Sequence, residues 1–300
     1  MSDQVTLANG DVVRLGRIKP LKVIDANGYR ITVLQDGSQH VAPLFGAHFA
    51  RARMAVQPPE VVDYASKAMP SLKRMYLNDR MGCCVISGKV HQLGLWSGND
   101  SDSGGVVLAT DQEIQEQYRG ICGPGDNGCN IAAVLDVFKR RGLQASGKLY
   151  RIDGYVAVDW TNKLQVQVAI LLFGSLTLGI NLPSSWTQGG DGSTWDVTDS
   201  PITGGHDVCC TGYNHQGVVI STWGGLRTIT WNAFLSRRWL EECFVELAPL
   251  WYGSDKLAPC GVDVVTLKAD LEALGGGRTP PVPDLAATAA RCPRPPTGTR

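Results

Sequence analysis

Two segments of the chain combine residue types that support acyl-transfer chemistry. The first, Asn78-Asp79-Arg80-Met81-Gly82-Cys83-Cys84-Val85, runs into an apolar stretch over residues 86–96 with the composition of a helix. A cysteine at a helix N-terminus faces unpaired backbone N–H groups and the positive end of the helix dipole, and both favour the thiolate. A free cysteine is more commonly a small buried hydrophobe, so this segment alone does not decide. The second segment, Gly204-Gly205-His206-Asp207-Val208-Cys209-Cys210-Thr211-Gly212-Tyr213, places a histidine at the start of a strand, and Ser221-Thr222-Trp223-Gly224 follows on the next. Imidazole exchanges its proton near neutral pH. Cys84 and His206 together supply a nucleophile and a base.

Neighbouring residues compete for these roles. Successive residues entering a helix diverge by about 100 degrees, so Cys83 and Cys84 cannot both face the same base. Gly88 stands four residues after Cys84 and is expected to leave space above the thiol, whereas Cys83 is followed three residues on by the apolar Ile86. Cys84 is therefore assigned to the cleft and Cys83 to the interior or a bridge. His91 shares the Cys84 face of that helix, but packing is its commoner fate. Asp207 alternates with His206 along the strand and points to the opposite sheet face.

The elements that position these groups follow from patterning. Residues 1–56 read as a small β-module, with short apolar strands separated by Asn9-Gly10, Asn27-Gly28 and Asp36-Gly37. Such dipeptides are strong hairpin signals, and they suggest a module that folds by itself. Gln57-Pro58-Pro59 then marks a boundary near residue 57. Residues 111–142 read as two helical stretches around the loop from Gly123 to Gly128, and Ile131, Val134, Leu135 and Phe138 form an apolar stripe. Residues 163–173 suit a helix and 176–182 a buried strand. Residues 207–213, 217–222 and 227–231 suit an antiparallel meander. An amphipathic helix is expected over 262–274, closing a main domain over 57–274. Residues 275–300, rich in Gly, Pro, Ala, Thr and Arg, suit a disordered tail. Helices early and an antiparallel sheet late define an α+β chain.

Composition limits the partners. Lys+Arg and Asp+Glu both number 28, which gives no net field to attract nucleic acid or an anionic membrane. No run approaches the roughly 20 apolar residues of a membrane-spanning helix, and no secretory leader is visible at the start. These features fix no compartment; a cytoplasmic location is the expectation they allow, and a virion-associated one would be implied only by a resemblance to phage proteins. Nine cysteines include no zinc-like spacing, so neither metal nor cofactor is expected. Reduced thiols are the default, with Cys122 and Cys129 placed to bridge in an oxidising compartment.

The two chemical segments resemble the papain-like cysteine protease family. That family has a glutamine six residues before its nucleophile and a glycine two before it; Asn78, Gly82 and Cys84 stand there. Its Gly-His-Ala-Val strand ending in Gly-Tyr is matched by Gly205-His206-Asp207-Val208 and Gly212-Tyr213, and its Asn-Ser-Trp-Gly segment by Ser221-Thr222-Trp223-Gly224. Asn127-Gly128-Cys129 is similar to its Gly- and Cys-rich stretch. The interval from Cys84 to His206 is slightly under the roughly 130 to 150 residues of the family. The resemblance spans residues 70–247. More loosely, the arrangement is similar to papain-like domains of bacteriophage and prophage proteins.

The resemblance implies a papain-like fold, with a helical half opened by the nucleophile and an antiparallel β half. It also implies hydrolysis of an amide in a peptide or protein substrate. Cys84 would attack as thiolate, His206 would shuttle the proton, and Asn78 with the Cys84 N–H would hold the oxyanion. Asn78 is one methylene shorter than glutamine. The family's orienting asparagine is replaced by Ser221, or by Thr222 when the count runs forward from His206. Alternatives are a peptidoglycan amidase or endopeptidase, an acyltransferase, and a catalytically silent scaffold that meets phage structural proteins.

Overall fold

A computed structural model describes residues 3–26, 28–48, 57–100 and 104–252. The turn dipeptides act where the sequence places them. Around Asn9-Gly10, where Gly10 has φ +88°, β1 (Asp3–Thr6) folds back antiparallel on β2 (Val12–Leu15). Strands β3 (Lys22–Ala26), β4 (Tyr29–Val33) and β5 (Gln39–Pro43) form a second antiparallel sheet, followed by the one-turn helix α1 (Phe45–His48).

These two sheets pair only within themselves, yet their interior is not their own. Leu7, Val13, Leu15, Ala42 and Phe45 join the same buried cluster as Val85, Ile131 and Leu178. Residues 49–56, which lead to the boundary near 57, lie outside the described residues, as do the helix expected over 262–274 and the tail from 275 onward.

The helical half comprises α2 (Met69–Leu72), α3 (Cys84–Asn99), α4 (Asp111–Cys122) and α5 (Ile131–Arg140). Helix α3 is buried continuously from Cys84 to Ser97, as a central helix must be. Gly94 and Gly98 let neighbours close on it: a Cβ on Gly98 would lie 2.6 Å from the Lys67 carbonyl oxygen. The start of α4 is fixed by a capping box between Thr110 and Glu113, and that of α5 by the Asn130 side chain accepting from the Ala133 N–H. Helix α6 (Lys163–Phe173) ends at Gly174 in the left-handed region, and α7 (Trp231–Phe234) is a single turn.

In the β half, β6 (Val62–Asp63) pairs with the central strand, and β7 (Leu143–Ala145) with β8 (Lys148–Tyr150) forms a separate hairpin. The main sheet otherwise contains β9 (Gly154–Ala157), β10 (Thr177–Pro183), β11 (Thr194–Trp195), β12 (Ile202–Tyr213), β13 (Gly217–Thr222), β14 (Gly225–Thr230) and β15 (Leu240–Leu247), in the order β11-β14-β13-β12-β10-β15-β9. All neighbours are antiparallel except β11 and β14. Helix α3 packs on β12, so the two chemical segments meet where helical and β halves join. No described helix is long and apolar enough to cross a membrane.

Candidate active site

The adjacent cysteines diverge at the start of α3. Cys83 is its N-cap residue, and its sulfur lies 3.3 Å from both the Tyr76 carbonyl oxygen and the Ser87 hydroxyl, inside the helical half. Cys84 is the first helical residue, and its sulfur faces the backbone N–H groups of Asp207 and Gly16. Its neighbour across the halves is thus the residue next to His206. Burial, followed by the charge of Asp207, pushes the Cys84 thiol up to about 12. The helix dipole does not offset that burial, and Cys84 is a neutral thiol at pH 7.

His206 is fully buried on β12. Its Nε2 is 2.7 Å from Thr222 Oγ1, and its Nδ1 has no partner among the described residues. Burial, then the charges of Arg227 and Arg17, bring the imidazole down to about 3. Trp223 stacks on the ring at 4.7 Å between centroids. Trp223 and Gly224 form the two-residue turn between β13 and β14, both with positive φ, 49° and 70°. That conformation is uncommon for a tryptophan, and it places the indole over the imidazole. Arg227 lies over Trp223 at 5.4 Å and donates to the Thr222 carbonyl at 2.6 Å. Trp195, 6.0 Å from Trp223 and stacked on Trp186, extends the dry wall.

The remaining sequence candidates are placed differently. The Ser221 hydroxyl donates to the Leu72 carbonyl at 3.1 Å, away from the imidazole. The Asn78 amide donates to the Met75 carbonyl at 3.2 Å within its own turn, and its Oδ1 is buried without a partner among the described residues. No hydrogen bond joins Cys84 to His206 in this state. Gly88 does not leave space above the thiol: the Asp207 carboxyl fills it, and a Cβ there would collide with Oδ2. Asp207 thus points to the helix side, opposite His206, with burial raising its pKa to about 8. His91 packs on the Tyr76 ring at 4.8 Å, and burial holds its pKa down at about 4, as a core residue.

The chain's own N-terminal segment lies against the thiol and bonds the backbone next to His206. Residues 14–18, continuing from β2, run between the two halves with hydrogen bonds to both. The Arg14 N–H donates to the Asn78 carbonyl at 2.7 Å, and the Arg17 N–H to the Gly205 carbonyl at 3.1 Å. On the helical side as well, the Gly16 carbonyl accepts from Cys129 N–H at 2.6 Å and the Ile18 N–H donates to the Cys129 carbonyl at 2.7 Å, a parallel pairing. Glycines face the segment throughout: a Cβ on Gly16 would strike the Gly82 carbonyl, and one on Gly205 would lie 2.5 Å from the Arg17 carbonyl oxygen. Glycine in a strand marks such close approach of another backbone. These glycines, together with Gly204 and Gly128, are the sequence signal that the local strand reading did not use.

Cys122 and Cys129 form a disulfide, correcting the default expectation of reduced thiols. The bridge closes the loop that supplies the Cys129 wall. Within that loop, Asp126 accepts from the Gly82 N–H at 2.7 Å and the Tyr118 hydroxyl at 3.0 Å, tying the wall to the turn before Cys84. Among the described residues, no group of His, Cys, Asp and Glu is arranged to hold a metal ion.

No family model matches the sequence, and no curated protein matches it. Solved structures do. The fold is similar to that of xylellain, a cysteine protease from Xylella fastidiosa, at 15% identity and a TM-score of 0.54, over 82% of this chain and 98% of that one. It is similar to digestive procathepsin L2 from Tenebrio molitor larval midgut, at 13% identity and a TM-score of 0.52, over 64% and 69% of the two chains. It is also similar to a procathepsin B from Trypanosoma congolense, at 11% identity and a TM-score of 0.50, over 66% and 80%. The chain has the α+β papain-like fold.

Proposed function

We propose that the chain is a papain-like cysteine peptidase, held in a closed state by residues 14–18. The observation that carries this reading is the meeting of Cys84, at the start of α3, with the backbone beside His206, whose ring is held by Thr222 and covered by Trp223. With the strap in place, thiol and imidazole are both neutral. Its withdrawal admits water, which lowers the thiol pKa and raises that of the imidazole. His206 Nδ1 then takes the Cys84 proton, and Nε2–H donates to Thr222 Oγ1.

The thiolate attacks the carbonyl carbon of a peptide bond, and the oxyanion is met by the Cys84 backbone N–H and by Asn78 once its amide turns from Met75. His206 returns its proton to the leaving amine as the C–N bond breaks. Water, giving its proton to the same imidazole, then hydrolyses the thioester. The substrate is a peptide or protein. Hydrolysis of a fluorogenic peptide library by the full chain carrying the strap-opening change Arg17→Glu, abolished on adding Cys84→Ala, tests the reading.

A second reading, a silent papain-like scaffold that binds a partner such as a virion protein, is favoured by the Asn78 amide. That amide is committed to its own turn instead of the thiol. Failure of Cys84 to react with a peptidyl epoxide, in a chain whose strap has been displaced, would support the scaffold.

A further inference from the structure

Position 227 lies on the face of β14 that points into the molecule, in alternation with Gly225 and Ile229, where an apolar side chain would fit the pattern. It holds an arginine instead. Arg227 is 3% exposed and forms no ion pair among the described residues, and its Nε has no partner there. Burial, opposed by the charge of Asp191 in the loop before β11, brings the guanidinium down to about 10, so it remains charged at neutral pH. A buried cation without a carboxylate costs stability. What this one holds is the surroundings of His206. Its Nη1 donates to the Thr222 carbonyl at 2.6 Å, and Thr222 Oγ1 lies 2.7 Å from His206 Nε2. Its Cζ lies 5.4 Å from the centre of the Trp223 ring, which stacks on the imidazole. One path runs through a hydrogen bond and the other through an indole, and both end on the same ring.

We propose that Arg227 is a positioning residue for catalysis, fixing Thr222 and Trp223 so that His206 presents Nδ1 to Cys84 in one orientation. The proposal rests on the peptidase reading. The turn that Arg227 fixes is an uncommon one, since Trp223 has φ of 49°. Arginine suits the position because one planar group both donates in its plane and stacks on an aromatic face, which a lysine ammonium does not do. The charge has a separate effect. Around His206 the charged or titratable groups are Arg227 on β14, Arg17 on the strap, Cys84 at the start of α3 and Asp207 on the opposite face of its own strand. Both arginines disfavour the imidazolium. Arg17 leaves with the strap, and Arg227 stays.

The test adds Arg227→Met and Arg227→Lys, separately, to the full chain opened by Arg17→Glu. It follows cleavage of a fluorogenic peptide, selected from a library by the opened parent, across pH. Arg227→Met should lower kcat by about tenfold or more with little change in KM, the loss typical of removing a partner that orients a functional histidine. It should also move the acid limb of the kcat profile up by about half a pH unit, because removing a cation eases protonation of the catalytic pair. Arg227→Lys should leave that limb in place while recovering only part of kcat. Structural damage alone would lower activity without moving the limb. An unchanged kcat in Arg227→Met, or a loss with the limb unmoved, overturns the proposal while leaving the peptidase reading intact. If Arg227→Met does not fold, Arg227→Lys decides: full kcat overturns the proposal, and a reduced kcat at an unmoved limb supports it. An opened parent that iodoacetamide alkylates at Cys84 but that cleaves no peptide defeats the peptidase reading, and the proposal with it.

Discussion

Cys84 and Cys83 are neighbours with different surroundings. Cys84→Ala is expected to abolish thiol labelling in the cleft and any hydrolysis. Cys83→Ala keeps both and costs stability, because its sulfur fills a site beside Tyr76 and Ser87. Peptide mapping of the labelled chain by mass spectrometry separates the two. Thr222→Val removes the oxygen at Nε2 while preserving shape, and should reduce turnover by about tenfold or more through loss of the imidazole's orientation. Ser221→Ala should leave turnover unchanged. Two buried ionisable groups give opposite pH effects. Asp207 has an ordinary value of 3.8 and a folded value of about 8, so the folded chain retains a proton that the unfolded chain releases, and stability falls as pH rises from about 4 to about 8. His206, depressed from 6.5 to about 3, contributes stability that is lost as pH falls through that window. In thermal melts, Asp207→Asn should therefore gain on the wild type with rising pH, and His206→Gln should gain with falling pH. The contact of His206 with Thr222 under Trp223 was legible because the types and spacing of those residues suit the proposed cysteine-histidine site. The amide of Asn78 was not, because its direction is set by a turn in which Tyr76 and Leu77 have φ of 48° and 64°, values no residue type there announces.

The elements best read from sequence were those with local signals: the hairpins closed by Asn-Gly and Asp-Gly, the stripe of α5, and the meander β12 to β14. Strand β15 was not read, since the charges of Glu241, Glu242 and Glu246 among its apolar residues make sense only once Arg17 and Lys89 are seen to pair with those carboxylates. Lys89 and Glu246 lie in the core at 3.2 Å, with Gln92 bonded to both, so a helix side and a strand side are joined by charge as well as by apolar contact. Removing one partner of such a buried pair costs about 3 to 5 kcal/mol, and Lys89→Met should lower the midpoint of denaturant unfolding accordingly, while Lys89→Met with Glu246→Leu recovers much of the loss. The disulfide wall has a smaller role. Cys122 and Cys129 are seven positions apart in sequence, and replacing both by serine should cost about 2 kcal/mol by the loop-entropy rule.

Across the whole molecule, the decisive feature is the passage of residues 14–18 between the halves. The hairpins within residues 1–56 are legible in the sequence, whereas the strap is not, because contacts so distant in sequence leave no periodic trace. Only the run of glycines at 16, 82, 128, 204 and 205 hints that two backbones come close. The strap joins the N-terminal sheets to both walls, and the buried pairing of Arg17 with Glu242 holds it there. A glutamate at position 17 would face Glu241 and Glu242 and be repelled, opening the cleft without any change to Cys84 or His206. The most direct measurement is the rate at which iodoacetamide alkylates Cys84 at neutral pH, followed by mass spectrometry, in the wild-type and Arg17→Glu chains beside a peptide-cleavage assay. The closed-peptidase account predicts slow alkylation of the wild type, fast alkylation of Arg17→Glu, and cleavage that appears with the variant and disappears on adding His206→Ala. Equal alkylation of the two folded chains, or a reactive Cys84 with no cleavage of any peptide, would contradict it.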